Sequence, residues 1–434
     1  MTTGSAFGKI LDMDYQKTTL DNGLRLVTVN LPHMQSVCLS IYVGAGSRYE
    51  SEEKAGLSHF LEHLLFKGTQ RWTTAREIAE AVEGVGGVLN GSTDKELTVY
   101  WAKVARPHFE LALDVLTDML RHPRLDPAEL EKERRVVMEE IDSSFDSPHQ
   151  RVNLLIDELL WPDQPLGRDV AGRKETVASL SRQALLEYLE QQYRPRNVVI
   201  AIAGNINQEE AAELIRSRLG DWEDGLPGPW FPAREEQSAP RVSVETRQTE
   251  QAHLCLGLRG LPHLHPDRFV LGLLNILLGE GMSSRLFQEL RERRGLVYEV
   301  SSYVTHFFDT GSLVIYAGAQ PDNLVEVLKI LLEELTRLKE EKVTEEELSR
   351  AKELGKGRLL LRLEDTRNVA GWFGGQELLT QRIQGVEEVI SEVEQITPLD
   401  LQRVARALFQ ADKLSLAVVG PVKEAESLQD LLCL

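Results

Sequence analysis

The sequence predicts an α+β protein with two similar domains that arise from an internal duplication. Strand and helix signals alternate along the chain. A Pro/Gly-rich interval at residues 224–240 interrupts them and is typical of a linker. Residues 180–204 have the pattern of a helix, a break and an apolar strand ending in glycine, and residues 399–420 repeat it. We therefore expect domains at residues 1–222 and 241–434, with a linker at residues 223–240.

Local signals predict the elements of the first half in order. The Asp21-Asn22-Gly23 turn precedes a β-branched segment, which is typical of a strand. Thr74, with Glu77 three residues later, predicts a capping box that opens a helix ending at the glycines of residues 84–87. Asp126 before Pro127 predicts an N-cap and a proline at the first helical position. The expected elements are strands at 24–29 and 37–43, a helix at 57–67, the helix after Thr74, a strand at 97–101 and a helix from 127 to about 141.

The second half resumes the same alternation after the linker. Thr344 and Glu347 form a second capping-box pattern, which predicts the start of a late helix. The expected elements before it are a strand at 253–258, helices at 267–278 and 285–294, and strands from Val297 onward.

Composition excludes several classes of protein. The chain has 49 Lys and Arg against 68 Asp and Glu, a formal net charge of −19, which is the wrong sign for nonspecific nucleic-acid binding. The three cysteines, Cys38, Cys255 and Cys433, are too few and too scattered for a disulfide framework. The first 16 residues do not have the pattern of a signal peptide, and no apolar run reaches the 18 residues or so of a membrane helix. We expect a cytoplasmic protein without membrane association.

The pentapeptide at residues 59–63, His-Phe-Leu-Glu-His, predicts a zinc site. On a helix, His59 and His63 lie on one face and can bind a single ion. Imidazole suits zinc, and catalytic zinc sites use three protein ligands and a water. Glu62 is close enough to that face to act as general base on the water. The alternative is a surface helix with two exposed histidines and a solvated glutamate.

A third ligand is sought among the carboxylates of residues 131–141. Glu133 and Glu140 are seven residues apart and share a helix face, whereas Glu139 points about 100° away. Such a pair suggests one carboxylate that binds metal and one that supports the site. Acidic residues on helices are usually solvated, so spacing alone leaves both interpretations open.

Residues 56–69 and 133–141 resemble segments of the pitrilysin group of zinc peptidases, whose signature is H-x-x-E-H. The group includes insulin-degrading enzyme and the mitochondrial processing peptidase, and the chain is similar to its short form, the processing peptidase beta subunit and bacterial homologues. The resemblance implies that each domain is a mainly antiparallel sheet packed with helices. It also implies that Glu140 is the third zinc ligand, with Glu139 as the rival, and that Glu133 is an assisting acid.

The resemblance extends to substrate-binding positions. Residues 282–300 are similar to the segment that supplies an Arg and a Tyr, which implies that Arg291 holds the substrate and Tyr298 stabilises the oxyanion. Asn90 matches an Asn that contacts the peptide backbone, but Gly91 and Ser92 follow where the family commonly has Ala and an aromatic residue. That departure puts the side-chain preference in doubt. Phe66 is expected to form an apolar wall or to belong to the core.

The resemblance implies a zinc endopeptidase for oligopeptides or unfolded segments, enclosed in a chamber. Residues 271–281 contain no histidine, which implies one zinc ion per chain. By the same resemblance we expect a dimer, homomeric or heteromeric, in which Arg291 and Tyr298 complete the partner's zinc site. The alternatives are a non-catalytic peptide-binding or scaffold partner and a maturation protease dedicated to one precursor.

Overall fold

A computed structural model of the protein describes residues 13–422 and 428–434. The N-terminal stretch for which we predict no signal peptide lies mostly outside these residues. The strands are β1 (Tyr15–Thr19), β2 (Arg25–Asn30), β3 (Ser36–Val43), β4 (Val88–Thr93), β5 (Thr98–Ala105), β6 (Val198–Gly204), β7 (Arg241–Thr246), β8 (Ala252–Arg259), β9 (Val297–His306), β10 (Gly311–Ala319) and β11 (Ser415–Gly420).

Helices occupy most of the intervals between strands. They are α1 (Leu57–Leu65), α2 (Ala75–Glu83), α3 (Phe109–Arg121), α4 (Pro127–Asp146), α5 (Pro148–Leu160), α6 (Lys174–Ser179), α7 (Arg182–Gln192), α8 (Gln208–Leu219), α9 (Arg268–Gly279), α10 (Leu324–Glu340), α11 (Glu345–Arg362), α12 (Thr366–Thr380), α13 (Val386–Gln395) and α14 (Pro398–Leu408).

The chain forms two compact units, and neither is continuous in sequence. Unit 1 comprises the described residues up to Ile141, Asp169–Phe231 and Leu360–Glu388. Unit 2 comprises Asp142–Arg168, Pro232–Leu359 and the described residues from Val389 onward. The domains expected from the sequence were contiguous. In the structure, the segment that carries α5 belongs to unit 2 although it comes from the first half of the chain, and the segment that carries α12 belongs to unit 1 although it comes from the second half. These two segments have therefore exchanged units.

The sheet of unit 1 has the strand order β1-β2-β6-β3-β5-β4. All neighbours are antiparallel except β2 and β6, which are parallel. Strand β6 is buried along its whole length, because it lies inside the sheet and is covered on both faces. Strand β4 forms one edge, and there it alternates between exposed and half-buried residues.

The sheet of unit 2 has the order β7-β11-β8-β10-β9. Here β7 and β11 are parallel and the other neighbours antiparallel. This is the order and orientation of β2-β6-β3-β5-β4 in unit 1. The match confirms the predicted α+β fold of two similar, mainly antiparallel sheets packed with helices, and it supports the duplication.

Helix α12 covers one face of the unit 1 sheet. Leu39 and Ile41 of β3 point into the core formed with α1 and α3. Tyr42 points the other way, as the alternation of a strand requires, and meets α12. A methyl group at Gly374 would lie 2.6 Å from Tyr42 Cε2 and 2.7 Å from Ala201 Cβ. The close approach of helix and sheet therefore depends on this glycine.

Helix α5 covers the corresponding face of the unit 2 sheet. Its residues Ile156 and Leu160 pack with Cys255 of β8 and Val314 of β10 in a buried cluster. The opposite face packs against α9, α10 and α14. Each sheet therefore has helices on both faces, and in each unit the second layer is supplied by the exchanged segment.

Several local expectations differ from the structure in extent. Helix α4 runs to Asp146 rather than about Ile141, because nothing before Ser147, the N-cap of α5, interrupts it. Residues 287–293 form a π-helix instead of part of a regular α-helix. The predicted box at Thr344 and Glu347 has both of its bonds. At Thr74 only half is present, because the Glu77 carboxylate accepts from the Thr73 amide.

Within residues 13–422 and 428–434, no helix combines the length and the apolar character that crossing a membrane would require.

Candidate metal centre

Helix α1 places the two histidines of the motif, and its start is fixed by buried contacts. Gly56 precedes the helix with φ of +92°, and a methyl group there would lie 2.4 Å from the Ala171 carbonyl oxygen. The Glu50 carboxylate accepts hydrogen bonds from the backbone amides of Gly56 (2.8 Å) and Ser58 (2.6 Å). A carboxylate at this end also complements the helix dipole. The orientation of α1 is therefore set from its first turn.

The imidazoles of His59 and His63 converge on one point. Their Nε2 atoms are 3.2 Å apart, and each side chain is 18% exposed. Two nitrogens bound to one tetrahedral zinc ion at about 2.0–2.1 Å would lie roughly 3.3 Å apart. The pair therefore fits shared coordination of zinc, and the alternative of two exposed surface histidines does not describe it.

Glu140 of α4 adds an oxygen to this pair. Its Oε2 lies 3.5 Å from His63 Nε2 and 3.9 Å from His59 Nε2. Among the described residues, Glu139 forms no ion pair with either histidine, although it is the neighbour of Glu140. Two imidazoles and a carboxylate are a ligand set that zinc accepts at catalytic sites. The geometry favours Glu140 over Glu139 as the predicted third ligand.

Glu133 lies on the buried side of α4 and orients His63. His63 Nδ1 and Glu133 Oε1 are 2.9 Å apart, so the Nδ1–H donates to the carboxylate and the Nε2 lone pair is left for a metal. Lys67 Nζ lies 2.7 Å from the other carboxylate oxygen. Burial raises the pKa of Glu133, but the hydrogen bonds from His63 and Lys67 outweigh it and hold this pKa below its usual value.

Glu62 is a buried carboxylate beside the same histidines. One oxygen of Glu62 and one ring nitrogen of each histidine lie within 4.8 Å of one another. Distance alone would therefore allow Glu62 as a ligand too, but its surroundings differ from those of Glu140. Thr93 Oγ1 donates to Glu62 Oε2 at 3.1 Å, and Glu62 is 9% exposed. Glu62 is therefore held by a hydrogen bond and shielded from solvent, whereas the Glu140 side chain is 46% exposed.

Burial and charge shift the pKa values of these groups in different directions. Burial, with a contribution from His63, lowers the pKa of His59 to about 4. Burial lowers the pKa of His63, but the bond to Glu133 and the charges of Glu140 and Glu62 raise it above its ordinary value. Burial, aided by Glu140, raises the pKa of Glu62 against the opposing effects of His63 and Thr93. Strong mutual perturbation of this kind is typical of functional sites.

A cavity of about 580 Å³ joins these residues to the edge strand β4. Phe66 and residues 89–93 of β4 line it together with the histidines and glutamates. Phe66 also packs on the core, with its ring centroid 6.1 Å from that of Tyr100, so it contacts both the cavity and the core. Asn90 lies on the exposed side of β4. A methyl group at Gly91 would lie 2.8 Å from Glu62 Oε1 and 3.0 Å from the Phe66 ring.

Arg291 and Tyr298 belong to unit 2. Arg291 lies in the last turn of the π-helix of residues 287–293, and its guanidinium carbon lies 5.4 Å from the centroid of the Tyr298 ring. Tyr298 is the second residue of β9, and 72% of its surface is exposed. The structure brings these two residues together, and unit 1 brings together His59, Glu62, His63, Glu133, Glu140, Asn90 and Phe66.

Sequence reasoning missed three residues that hold this site. Lys67 contacts Glu133, Thr93 contacts Glu62, and Glu50 anchors the start of α1. Thr93 has a signal in the sequence, because it shares a strand face with Gly91 at the predicted substrate strand. Lys67 and Glu50 have none that spacing could reveal, since their partners are set by tertiary packing.

Comparisons with known proteins agree with this arrangement. The family described as "Insulinase (Peptidase family M16)" matches residues 25–174, and "Peptidase M16 inactive domain" matches residues 179–354. An uncharacterized zinc protease of Bacillus subtilis is 39% identical over 411 residues, covering 94% of this chain and 98% of its own. One of Streptomyces coelicolor is 37% identical over 418 residues, covering 95% of this chain and 91% of its own.

Solved structures show the same fold. A protease from Helicobacter pylori superposes with a TM-score of 0.89 at 25% identity, covering 94% of this chain and all of its own. A peptidase M16 inactive domain from Pseudomonas fluorescens gives 0.88 at 19% identity, covering 95% of this chain and all of its own, which is a likeness of fold alone. Since family models match both halves of the sequence and relatives match nearly its full length, the chain belongs to the M16 family of peptidases.

Proposed function

We propose that the protein is a zinc-dependent endopeptidase that cleaves oligopeptides or unfolded protein segments. The observation that carries the proposal is the convergence of His59 Nε2, His63 Nε2 and Glu140 Oε2 beside a buried, hydrogen-bonded Glu62. One zinc ion per chain would be held by these three ligands. When bound, zinc supplies Lewis acidity that acidifies water and polarises a peptide carbonyl.

Glu62 is the proposed general base. It takes a proton from the attacking water and returns it to the leaving amine. Because its pKa is raised, Glu62 accepts this proton more readily than an ordinary carboxylate. The bond from Thr93 holds the carboxylate at a fixed position on the cavity wall. Glu133 and Lys67 take no part in proton transfer; they keep His63 in the tautomer that a metal requires.

Peptide is proposed to add to the edge of the unit 1 sheet. Strand β4 is unpaired on its outer side within that sheet and lines the cavity that contains Glu62. Main-chain hydrogen bonding to an edge strand tolerates varied side chains, which suits unfolded substrates in an enclosed chamber. Asn90 would contact the peptide backbone, and Phe66 would form an apolar wall beside the scissile bond.

The proposed working form is a dimer in the cytoplasm. Arg291 and Tyr298 of one subunit would hold the substrate and stabilise the oxyanion at the other subunit's zinc site. The free state of Cys38, Cys255 and Cys433 supports a reducing compartment. Homodimers and heterodimers both satisfy this arrangement.

The decisive experiment separates zinc binding from turnover. Glu62→Gln is expected to keep one zinc ion per chain and to lose peptidase activity by several orders of magnitude, because only the proton acceptor is removed. Metal content is measured by elemental analysis and turnover with a mixture of peptides. Substantial turnover of the metal-loaded variant would contradict the role of Glu62. A zinc-loaded wild type without turnover would favour a non-catalytic peptide-binding partner, and cleavage of a single peptide would favour a dedicated maturation protease.

A matched pair of variants tests the third ligand. Glu140→Gln is expected to weaken zinc binding severely, whereas Glu139→Gln should leave it nearly unchanged, because of these two neighbours it is Glu140 whose carboxylate lies close to both histidines. Zinc affinity is measured by competition with a chelator. A larger loss in Glu139→Gln would show that the ligand assignment is wrong by one residue.

A further inference from the structure

The departure from the family pattern at Asn90-Gly91 creates a reactive dipeptide in the proposed substrate strand. Asn90 is exposed on the edge strand β4. The Gly91 amide donates to the Asn90 side-chain oxygen at 2.8 Å, so the backbone nitrogen lies against the carboxamide. Glycine has no side chain to shield that nitrogen. We propose that Asn90 is a site of spontaneous deamidation through Gly91.

The reaction needs no partner except water. The Gly91 nitrogen loses its proton and attacks Asn90 Cγ. A bond forms between these atoms, the bond from Cγ to Nδ2 breaks, and ammonia leaves. Water then opens the resulting five-membered imide at either carbonyl, giving Asp at residue 90 or an isoaspartyl linkage. The hydrogen bond from the Gly91 amide to Asn90 Oδ1 already keeps the nucleophile next to the carboxamide that it attacks, which lowers the entropy cost of the reaction.

The chain contains a second Asn-Gly pair, and its environment is the opposite. Asn22 is 8% exposed, and its Nδ2 donates to the carbonyls of Leu219 (2.7 Å) and Trp222 (3.1 Å). The Gly23 amide donates to the Leu20 carbonyl at 2.9 Å, so this nucleophile is occupied by a backbone bond. The fold therefore protects Asn22 and leaves Asn90 open, which makes Asn22 an internal control.

Deamidation at Asn90 changes the cavity in two ways. It adds a carboxylate to a space already lined by Glu62, Glu133 and Glu140. The isoaspartyl product also inserts a methylene into the main chain of β4, which shifts the alternation of every residue beyond it. Peptide alignment along this edge would be lost while the zinc ligands stay in place. This consequence rests on the proposed peptidase function, whereas the chemistry at Asn90 does not.

The test follows both asparagines in one sample. Zinc-loaded protein is incubated in mildly alkaline buffer, native or in urea, and digested with trypsin. Peptides 77–95 and 18–25 then report Asn90 and Asn22 by mass, and isoaspartyl groups are counted by enzymatic methylation. In the native protein, Asn90 should convert at least about tenfold faster than Asn22, because burial and hydrogen bonding oppose the reaction at Asn22. In urea the two rates should approach each other.

The variant Gly91→Ala should slow conversion at residue 90, because a methyl group hinders the attacking nitrogen. Equal native rates at the two asparagines, or no conversion at Asn90 when the unfolded chain converts, would overturn the proposal. Peptidase activity should fall in proportion to the deamidated fraction while zinc content stays constant. Full activity after complete conversion would refute the stated consequence, and an inactive starting protein would count against the peptidase function alone, since the masses still report Asn90.

Discussion

The position of a single proton decides whether His63 can bind zinc. Its Nδ1–H is held by Glu133, and Glu133 is held in turn by Lys67, which lies just beyond the end of α1. A chain of three side chains therefore links the metal ligand to an ammonium group that does not contact the metal. Partners of this kind fix the tautomer and the orientation of the ring, and their loss typically lowers metal affinity or activity about 10- to 100-fold.

Replacing Lys67 with Met should lower zinc affinity about tenfold, because Glu133 loses its second partner and holds His63 less firmly. Zinc affinity is measured by chelator competition. Lys67→Arg should recover most of the loss. Lys132→Met is the matched control, since among the described residues Lys132 pairs with Glu129 on the exposed side of α4, and this variant should bind zinc like the wild type. Unchanged affinity in Lys67→Met would show that Glu133 needs no such support.

At the scale of residues, the sequence predicts the candidate metal ligands better than it predicts the residues that hold those ligands in place. The spacing of His59 and His63, and of Glu133 and Glu140, places side chains on one helix face, and local geometry is sufficient for that. Lys67 reaches Glu133, on another helix, only after the chain leaves α1, and Glu50 caps α1 from outside the helix. Contacts between separate elements depend on tertiary packing, which spacing does not encode.

At the scale of elements, α12 is fastened to the unit 1 sheet at its first residues. Asp365 caps the helix by accepting from the amides of Arg367 (2.8 Å) and Asn368 (3.4 Å). Its other oxygen accepts from Lys103 Nζ of β5 at 2.5 Å. Burial raises the pKa of Asp365, but the bonds from Lys103 and the Arg367 amide outweigh it, so the pKa lies below its ordinary value.

The variant Asp365→Asn keeps a capping side chain and removes the charge. Because the folded pKa is depressed, the charge stabilises the protein above the unfolded pKa of about 3.9, and this contribution is lost as the pH falls through the folded pKa. Because the ion pair of Asp365 with Lys103 is partly exposed, we expect the substitution to lower the free energy of unfolding by about 0.5 kcal/mol at pH 7. Urea unfolding at pH 7 and near pH 3 measures the difference between variant and wild type. A difference that grows at low pH would contradict this account.

The elements that the sequence failed to predict have weak local signals. Strand β1 is short and mostly exposed, so it lacks the apolar alternation of a half-buried strand. The π-helix at residues 287–293 has the composition of an ordinary amphipathic helix, and its wider turn comes from its surroundings. The interior strands β6 and β11, in contrast, are fully buried and almost entirely apolar, and they were predictable because burial on both faces requires that composition.

At the scale of the whole molecule, the two units share a sheet topology but differ in their candidate functional residues. Unit 1 has the zinc-type donors, whereas the equivalent helix of unit 2, α9, carries no histidine, as the sequence predicts. Unit 2 instead places Arg291 of the π-helix beside Tyr298 of its own edge strand, β9. In the proposed function, the two copies of the fold would therefore contribute different residues to the peptidase site. Repetition in the sequence predicted the copies, but the exchange of α5 and α12 has no signal in composition or periodicity.

Mixed dimers test whether these halves combine between subunits. Glu62→Gln chains refolded together with Tyr298→Phe chains should recover roughly a quarter of wild-type activity, because about half the dimers are mixed and each of those has one intact site. Each variant refolded alone is the control and should remain nearly inactive. If Tyr298 serves the zinc site of its own chain, mixing will restore nothing.

The exchange of helices also determines when each unit can complete its fold during synthesis. The strands of the unit 1 sheet precede α12 in the sequence, and this helix, which covers one face of that sheet, is complete only once residues 366–380 have been made. Until then Tyr42 and Ala201 lack their cover at Gly374. A fragment ending near residue 222 would therefore present a bare apolar sheet face, and the nascent chain depends on late translation, or on a chaperone, to keep that face from aggregating.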